Sequence, residues 1–121
     1  MISECSASFN TGNGIYASGS HIVGNTCRGN GFSGDGAGIL VIFDESRIEG
    51  NNCTNNDRGI DVDGAGNIII RNTCSGNTVN WDIVAGNSYL IVQAATTASN
   101  FTGDAGGGGV GSTNPHANFT F

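Results

Sequence analysis

The sequence predicts an all-β solenoid, a single-stranded parallel β-helix of about four coils with an irregular C-terminal tail. Three observations predict it: a repeat of about 21 residues, short β-branched clusters within each repeat, and turns rich in Gly and Asn between the clusters. Only 12% of the residues are charged, whereas 21 of the 121 are Gly. A helical bundle needs far more charge on its exposed faces, so that class is excluded.

The repeat is clearest in an Ile-x-x-Asn-x-Cys motif, each copy of which has a further Asn three residues after its Cys. The copies are 22–27, 48–53 and 69–74, and the further residues are Asn30, Asn56 and Asn77. A second block, Gly-Ile-x-Val in its regular form, occupies 14–17, 38–41, 59–62 and 80–83. Extra residues fall between the Cys and the next block, as at 32–37, which predicts a loop on one side of the solenoid.

Stacking of the coils explains why these residues repeat. A single short coil cannot bury its own apolar side chains, but coils stacked in register share one core, with equivalent residues about 4.8 Å apart. Alternation predicts four inward columns. They are Ile15, Ile39, Ile60 and Trp81; Ala17, Val41, Val62 and Ile83; Ile22, Ile48, Ile69 and Leu90; and Cys5, Cys27, Cys53 and Cys74.

Two of the repeated residue types are read as structural. The Cys spacings of 22, 26 and 21 follow the coil period and not the geometry of a metal site, so we expect reduced thiols that act as small apolar side chains. Asn25, Asn51 and Asn72 form a predicted ladder at a tight corner. Each amide would bond backbone groups and the next Asn, and Asn also tolerates the left-handed backbone that corners demand.

These repeats resemble the right-handed parallel β-helix repeat proteins of the pectate-lyase-like superfamily, over about residues 2–92. The chain therefore divides into β-helix coils at 1–92 and a Gly-rich tail at 93–121. The ending Asn-Pro-x-Ala-Asn-Phe is similar to the tail of bacterial members, and that resemblance implies packing along the outside of the helix. Phe101, Val110, Phe119 and Phe121 would then cover outward apolar rows that include Val23, Ile70 and Ile91.

An acidic patch is the best candidate site. Asp61 and Asp82 occupy the same outward position on successive coils, Asp63 lies two residues along, and Tyr16 holds the matching position two coils earlier. The carboxylates could bind Ca²⁺ as ligands or act as an acid/base pair, and Tyr16 could stack on a sugar; a solvated acidic face is the simpler alternative. In β-helix lyases an Arg commonly acts as base beside Ca²⁺, which the resemblance extends to Arg58 as a catalytic candidate, whereas Arg58 and Arg71 could also form only surface salt bridges.

Three function classes follow. The first is a non-catalytic structural or glycan-binding module without a cofactor, the second a Ca²⁺-dependent polysaccharide lyase or other carbohydrate-active enzyme, and the third an assembly unit. Four coils give a stack of roughly 20 Å, which would accommodate only a few sugar rings. The short stack therefore favours the first and third classes over an enzyme with a long substrate groove. The repeat starts near Met1 with no residues left for a cap, which predicts either a homo-oligomer formed through the N-terminal coil or truncation from a longer protein.

Charge and targeting signals limit the partners. Ten acidic residues against four Arg and no Lys give a net charge of −6, which disfavours nucleic acid and anionic membranes. No apolar run is long enough to span a membrane. The N-terminus lacks the features of a signal peptide, which indicates a cytoplasmic protein, or an extracellular one if the chain is a fragment.

Overall fold

The chain is a parallel β-solenoid of about four turns. The computed structural model describes residues 1–32, 34–93, 101–103 and 114–120. The first two coils contain β1 (Ile2–Ser3), β2 (Ser6–Ser8), β3 (Ile15–Ala17), β4 (His21–Val23), β5 (Thr26–Arg28) and β6 (Ala37–Val41). The next two contain β7 (Arg47–Glu49), β8 (Asn52–Thr54), β9 (Arg58–Val62), β10 (Ile68–Ile70), β11 (Thr73–Ser75) and β12 (Val79–Ile83). Then follow β13 (Ser88–Tyr89), β14 (Ile91–Gln93), β15 (Phe101–Gly103) and β16 (Asn118–Thr120).

The strands of the described residues form three parallel sheets, and each coil gives one strand to each sheet. Sheet A has the order β1-β4-β7-β10-β13, sheet B the order β14-β16-β11-β8-β5-β2, and sheet C the order β15-β12-β9-β6-β3. Because the coils are stacked in register, the strands of the four coils pair with their equivalents one coil away. The predicted fold class is therefore confirmed.

The core consists of the inward columns. Ile15, Ile39, Ile60 and Trp81 are in register, as are Ala17, Val41, Val62 and Ile83. Two predictions at the ends of the solenoid are wrong. Tyr89, not Leu90, is in register with Ile69. Ala7, not Cys5, is in register with Cys27, and Cys5 is exposed at the position that Asn25 holds one coil later, donating its backbone N–H to the Asn25 side chain.

The asparagine ladder is present and fully buried. Asn51 accepts two hydrogen bonds from Asn25 through Oδ1, each of 2.9 Å, and donates through Nδ2 to the Ile22 carbonyl. Asn72 repeats this arrangement one coil later. The left-handed backbone, however, belongs to the residue before each Asn, such as Gly24, Gly50 and Arg71, and not to the ladder Asn. The Asn side chains form the hydrogen bonds that the backbone groups at the corner need, whereas the preceding residues supply the left-handed φ that turns the chain.

Two further ladders occupy the other corners. Asn10, Asn30, Asn56, Asn77 and Asn80 form the second, between sheets B and C. Ser20, Ser46, Asn67 and Asn87 form the third, between sheets C and A. The repeated Asn three residues after each Cys is the sequence signal for the second ladder. The third has a weaker signal because Ser replaces Asn in two of its coils.

The C-terminal strand β16 differs from the expected position along the outside of the helix. It lies within sheet B, between β11 and β14, and pairs in parallel with both. Asn118 is fully buried there and extends the first ladder by accepting two hydrogen bonds from Asn72. Ile91 pairs with Asn118 in the same sheet. Val110, Phe121 and the side chain of Phe101 lie outside the described residues, as do 94–100 and 104–113.

Candidate functional site

The outward face of sheet C carries the predicted polar row. Tyr16 is in register with Leu40, Leu40 with Asp61, and Asp61 with Asp82, so the four side chains follow one another along the helix axis. The alternation that sends Ile60 and Val62 into the core turns Asp61 outward between them. Asp61 and Asp82 are therefore adjacent, as the repeat predicted. Tyr16 is 60% exposed at the other end of the row.

Arg58 organises the acidic side chains. Its Nη1 lies 2.5 Å from Oδ1 of Asp35 and 3.5 Å from Oδ2 of Asp61, and its Nε lies 3.3 Å from Oδ2 of Asp82. Arg58 stands at the start of β9, and Asp35 reaches it from the inserted loop one coil earlier. One guanidinium thus fixes the positions of three carboxylates.

Asp61 is a buried carboxyl group with a raised pKa. It is only 6% exposed. Burial, followed by the negative charge of Asp63, raises the pKa of Asp61 to about 7, and Arg58 offsets only part of that rise. Near neutral pH this side chain therefore exchanges between an acid that donates a hydrogen bond and a carboxylate that only accepts.

These residues surround an open cleft of about 380 Å³. The lining side chains are Asn13, Asp35, Leu40, Arg58, Asp61, Asp63 and Asp82. Asn13 and Asp35 were not expected in the site. Asp35 sits in the Gly-rich insertion, and its only sequence signal is that this insertion immediately precedes a strand of sheet C. We call this depression the acidic cleft.

The geometry does not favour the calcium hypothesis. Among the residues that the structure describes, no three His, Cys, Asp or Glu side chains are grouped so that they could hold a metal ion. Asp61, Asp63 and Asp82 line one cleft, but Arg58 already supplies the positive charge between Asp61 and Asp82. A second cation there would be repelled by the guanidinium.

Arg58 is also poorly placed to act as a catalytic base. A base must be deprotonated to accept a proton. The hydrogen bond to Asp35, together with the charges of Asp61 and Asp82, raises the pKa of Arg58 above its already high ordinary value. The lyase hypothesis required the opposite shift, so the geometry favours an arginine that binds and orients.

Arg71, the other arginine considered, belongs to a different cluster on sheet A. Its Nη1 lies 2.9 Å from Glu49, whose other oxygen accepts from Arg47 at 2.6 Å. Arg47, then Arg71 and His21, hold the pKa of Glu49 below its ordinary value. Arg71 also donates through Nε to the Pro115 carbonyl. It therefore helps to fasten the C-terminal segment and takes no part in the acidic cleft.

Three of the four cysteines are placed for packing. Cys27, Cys53 and Cys74 are in register and fully buried, and all four cysteines are free thiols. Contact with Cys53, followed by burial, raises the pKa of the Cys27 thiol well above its ordinary value. A thiol that resists ionisation is a poor nucleophile and a poor metal ligand.

The register, the corner ladders and the stacked core together define a parallel β-helix repeat protein. Residues 1–109 match the family model described as "Periplasmic copper-binding protein (NosD)", and the chain belongs to this family of right-handed β-helices. No curated protein and no solved structure matches the chain. Within the described residues, no helix has the length and hydropathy needed to cross a membrane.

Proposed function

We propose that this chain is a non-catalytic, glycan-binding β-helix module of the periplasm, the compartment given in the family description. The observation that carries the proposal is Arg58, held by three carboxylates in a cleft beside Leu40. A preorganised set of donors and acceptors next to an apolar side chain is the usual form of a small-ligand site. Tyr16, one coil beyond Leu40, offers an exposed ring.

The charge of the cleft selects the class of glycan. Its lining holds four carboxyl groups and one guanidinium. Uronic-acid polymers would be repelled by this excess of negative charge. Neutral sugars would not, and each hydroxyl can accept from Arg58 while it donates to Asp82. Neutral oligosaccharides are therefore the proposed ligands.

Copper binding is not proposed for this chain. The family description names copper, which prefers thiolate, thioether and imidazole ligands. Cys27, Cys53 and Cys74 are fully buried and the Cys27 thiol resists ionisation, whereas the exposed Cys5 lies outside their column. In the part of the chain that the structure describes, no group of His, Cys, Asp or Glu side chains is arranged for a metal. The residues present thus do not fit the ion.

Calorimetric titration with neutral, acidic and basic oligosaccharides tests the proposal. Neutral ligands are expected to bind, and Asp82→Asn is expected to weaken them about tenfold, because it removes one carboxylate that orients Arg58 and accepts from hydroxyls. Asp44→Asn is the matched control, since Asp44 is exposed outside the cleft. Equal affinities of the two variants, or preference for uronic-acid polymers, would contradict the proposal.

We also propose that the module self-associates through its N-terminal coil. The strands β1, β2 and β3 are the outer strands of sheets A, B and C at that end, so their free edges can pair with another chain. Ala7→Lys would place a charge on the inward side of this edge and is expected to shift sedimentation toward monomer. Ser8→Lys, on the outward side of the same strand, should leave the distribution unchanged. A wild-type monomer at all concentrations would refute this association.

A further inference from the structure

A second groove lies at the corner between sheets B and C. It measures about 450 Å³ and crosses all four coils. Its lining includes Phe9, Arg28, Phe32, Asn55, Asp57 and Thr78. Two of them are aromatic and largely exposed: Phe9 at 72% and Phe32 at 89%. We call this depression the aromatic groove.

Phe9 lies at a corner with a left-handed backbone, where its ring packs over Gly29. It is stacked with Gly29, Asn55 and Gly76, and all four have positive φ, with Phe9 at 58°. Gly and Asn tolerate this conformation, whereas a bulky side chain is strained in it. Phe9 accepts that strain and still leaves most of its ring in solvent. A strained backbone at an aromatic residue that stays largely exposed is typical of a residue kept for binding.

The remaining side chains supply the polar half of a binding site. The Arg28 guanidinium lies 5.9 Å from the centre of the Phe9 ring, which orients both groups. Asn55, Asp57 and Thr78 continue the lining along the next two coils. The groove therefore offers two flat apolar surfaces, a fixed donor and several acceptors. One cation and one anion leave it without net charge.

We propose that the aromatic groove is a second glycan subsite, in which sugar rings stack on Phe9 and Phe32 and their hydroxyls bond Arg28, Asn55 and Asp57. A neutral pyranose has apolar C–H faces and hydroxyl edges, which matches a lining of aromatic faces and polar side chains. The class of ligand rests on the proposed function, but the position of the subsite does not.

The two depressions share their boundary. Asp57 lines the aromatic groove and the next residue, Arg58, lines the acidic cleft. The inserted loop likewise carries Phe32 on the aromatic side and Asp35 on the acidic side. An oligosaccharide that passes over this loop would contact both sites, so longer neutral oligosaccharides are expected to bind more tightly than disaccharides.

Titrations of full-length variants with neutral gluco-, manno- and xylo-oligosaccharides test the subsite. Phe9→Asn and Phe32→Ala are each expected to weaken binding about three- to tenfold, the usual contribution of one aromatic stacking contact. Phe43→Ala is the matched control, because Phe43 is also 61% exposed but lies outside the groove. Phe9→Asn should not lower the thermal unfolding midpoint, since Asn suits the left-handed backbone.

A second readout separates this inference from the proposed function. Trp81 is the single Trp and is fully buried, so Phe32→Trp places one exposed reporter in the groove. A ligand-induced change in the emission of this Trp supports the subsite. Normal binding by Asp82→Asn would overturn only the acidic cleft and would leave that support unchanged. Loss of affinity in Asp82→Asn with unchanged affinity in both Phe variants would overturn only the subsite. Altered sedimentation of Phe32→Ala, which lies outside the N-terminal coil, without altered binding would show that the groove takes a second copy of the chain and would overturn the subsite.

Discussion

Replacing Asn72 by leucine is expected to lower the free energy of unfolding by roughly 3–5 kcal/mol. Its Oδ1 accepts from the backbone and side-chain nitrogens of Asn51, and its Nδ2 donates to the Ile48 carbonyl, each at 2.9 Å. Leucine has a similar volume but no polar atoms. The four side-chain hydrogen bonds to Asn51, Ile48 and Asn118 would therefore be lost inside the stack, where water cannot replace them.

Urea unfolding compares this variant with Asn52→Ala. Asn52 is exposed and accepts one hydrogen bond, from the Thr73 hydroxyl, so its loss should cost no more than about 1 kcal/mol. Both are asparagines at the sheet A to sheet B corner of adjacent coils, but Asn52 is exposed whereas Asn72 is fully buried. Similar midpoints for both variants would show that the ladder does not stabilise the coils.

At the C-terminal end of the solenoid, two of the ladders are closed by asparagines that do not belong to the repeated motif. In the earlier coils the second ladder is followed by a glycine, such as Gly59, where an added Cβ would lie 2.8 Å from Asn77 Nδ2. In the fourth coil Asn80 stands at that position and accepts from the Asn77 side chain within the same coil. Asn118 closes the first ladder from the C-terminal strand. The ends are thus completed by side chains that replace a missing coil.

The central coils could be predicted from the sequence because each has a neighbour above and below. Ile39, Ile60 and Asp61 must match equivalent residues on both sides, so their register is fixed by the repeat. Cys5 and Leu90 lie in the terminal coils, where one neighbour is absent and the match can shift. Aligning Cys5 with Cys27 gave a plausible period, yet it placed Cys5 two residues away from Ala7, the true equivalent.

The residues of the candidate sites could likewise be predicted where the repeat fixes their register, and could not be predicted where it does not. Asp61 and Asp82 are adjacent because of strand register, which the repeat encodes. Asp35 meets Arg58 only because an insertion folds across the corner, and no repeat specifies that path. Phe9 was missed for another reason: an exposed aromatic in a short turn has no periodic signal. Only its positive φ, compared with Gly and Asn in the other coils, distinguishes it.

Stability should fall as the pH rises from about 4 to 7, because the pKa of Asp61 is raised from 3.8 to about 7 in the folded protein. Within that window the native state binds a proton that the unfolded state has released, so its advantage is lost as Asp61 ionises. The loss is on the order of 2–4 kcal/mol. Glu49 acts in the opposite sense, since its pKa is lowered, but only below its ordinary value of 4.5.

Asp61→Asn is expected to remove this slope and to be more stable than the wild type at pH 8, because a neutral amide avoids the cost of ionising in the cleft. Asp44→Asn, at an exposed carboxylate, should keep the wild-type slope. Thermal or urea unfolding at pH 5 and pH 8 measures both variants. Parallel profiles for Asp61→Asn and the wild type would mean that Asp61 stays ionised in the fold. The cleft would then present a permanent carboxylate to its ligand, and binding of neutral sugars would lose the proton donor that Asp61 supplies below neutral pH.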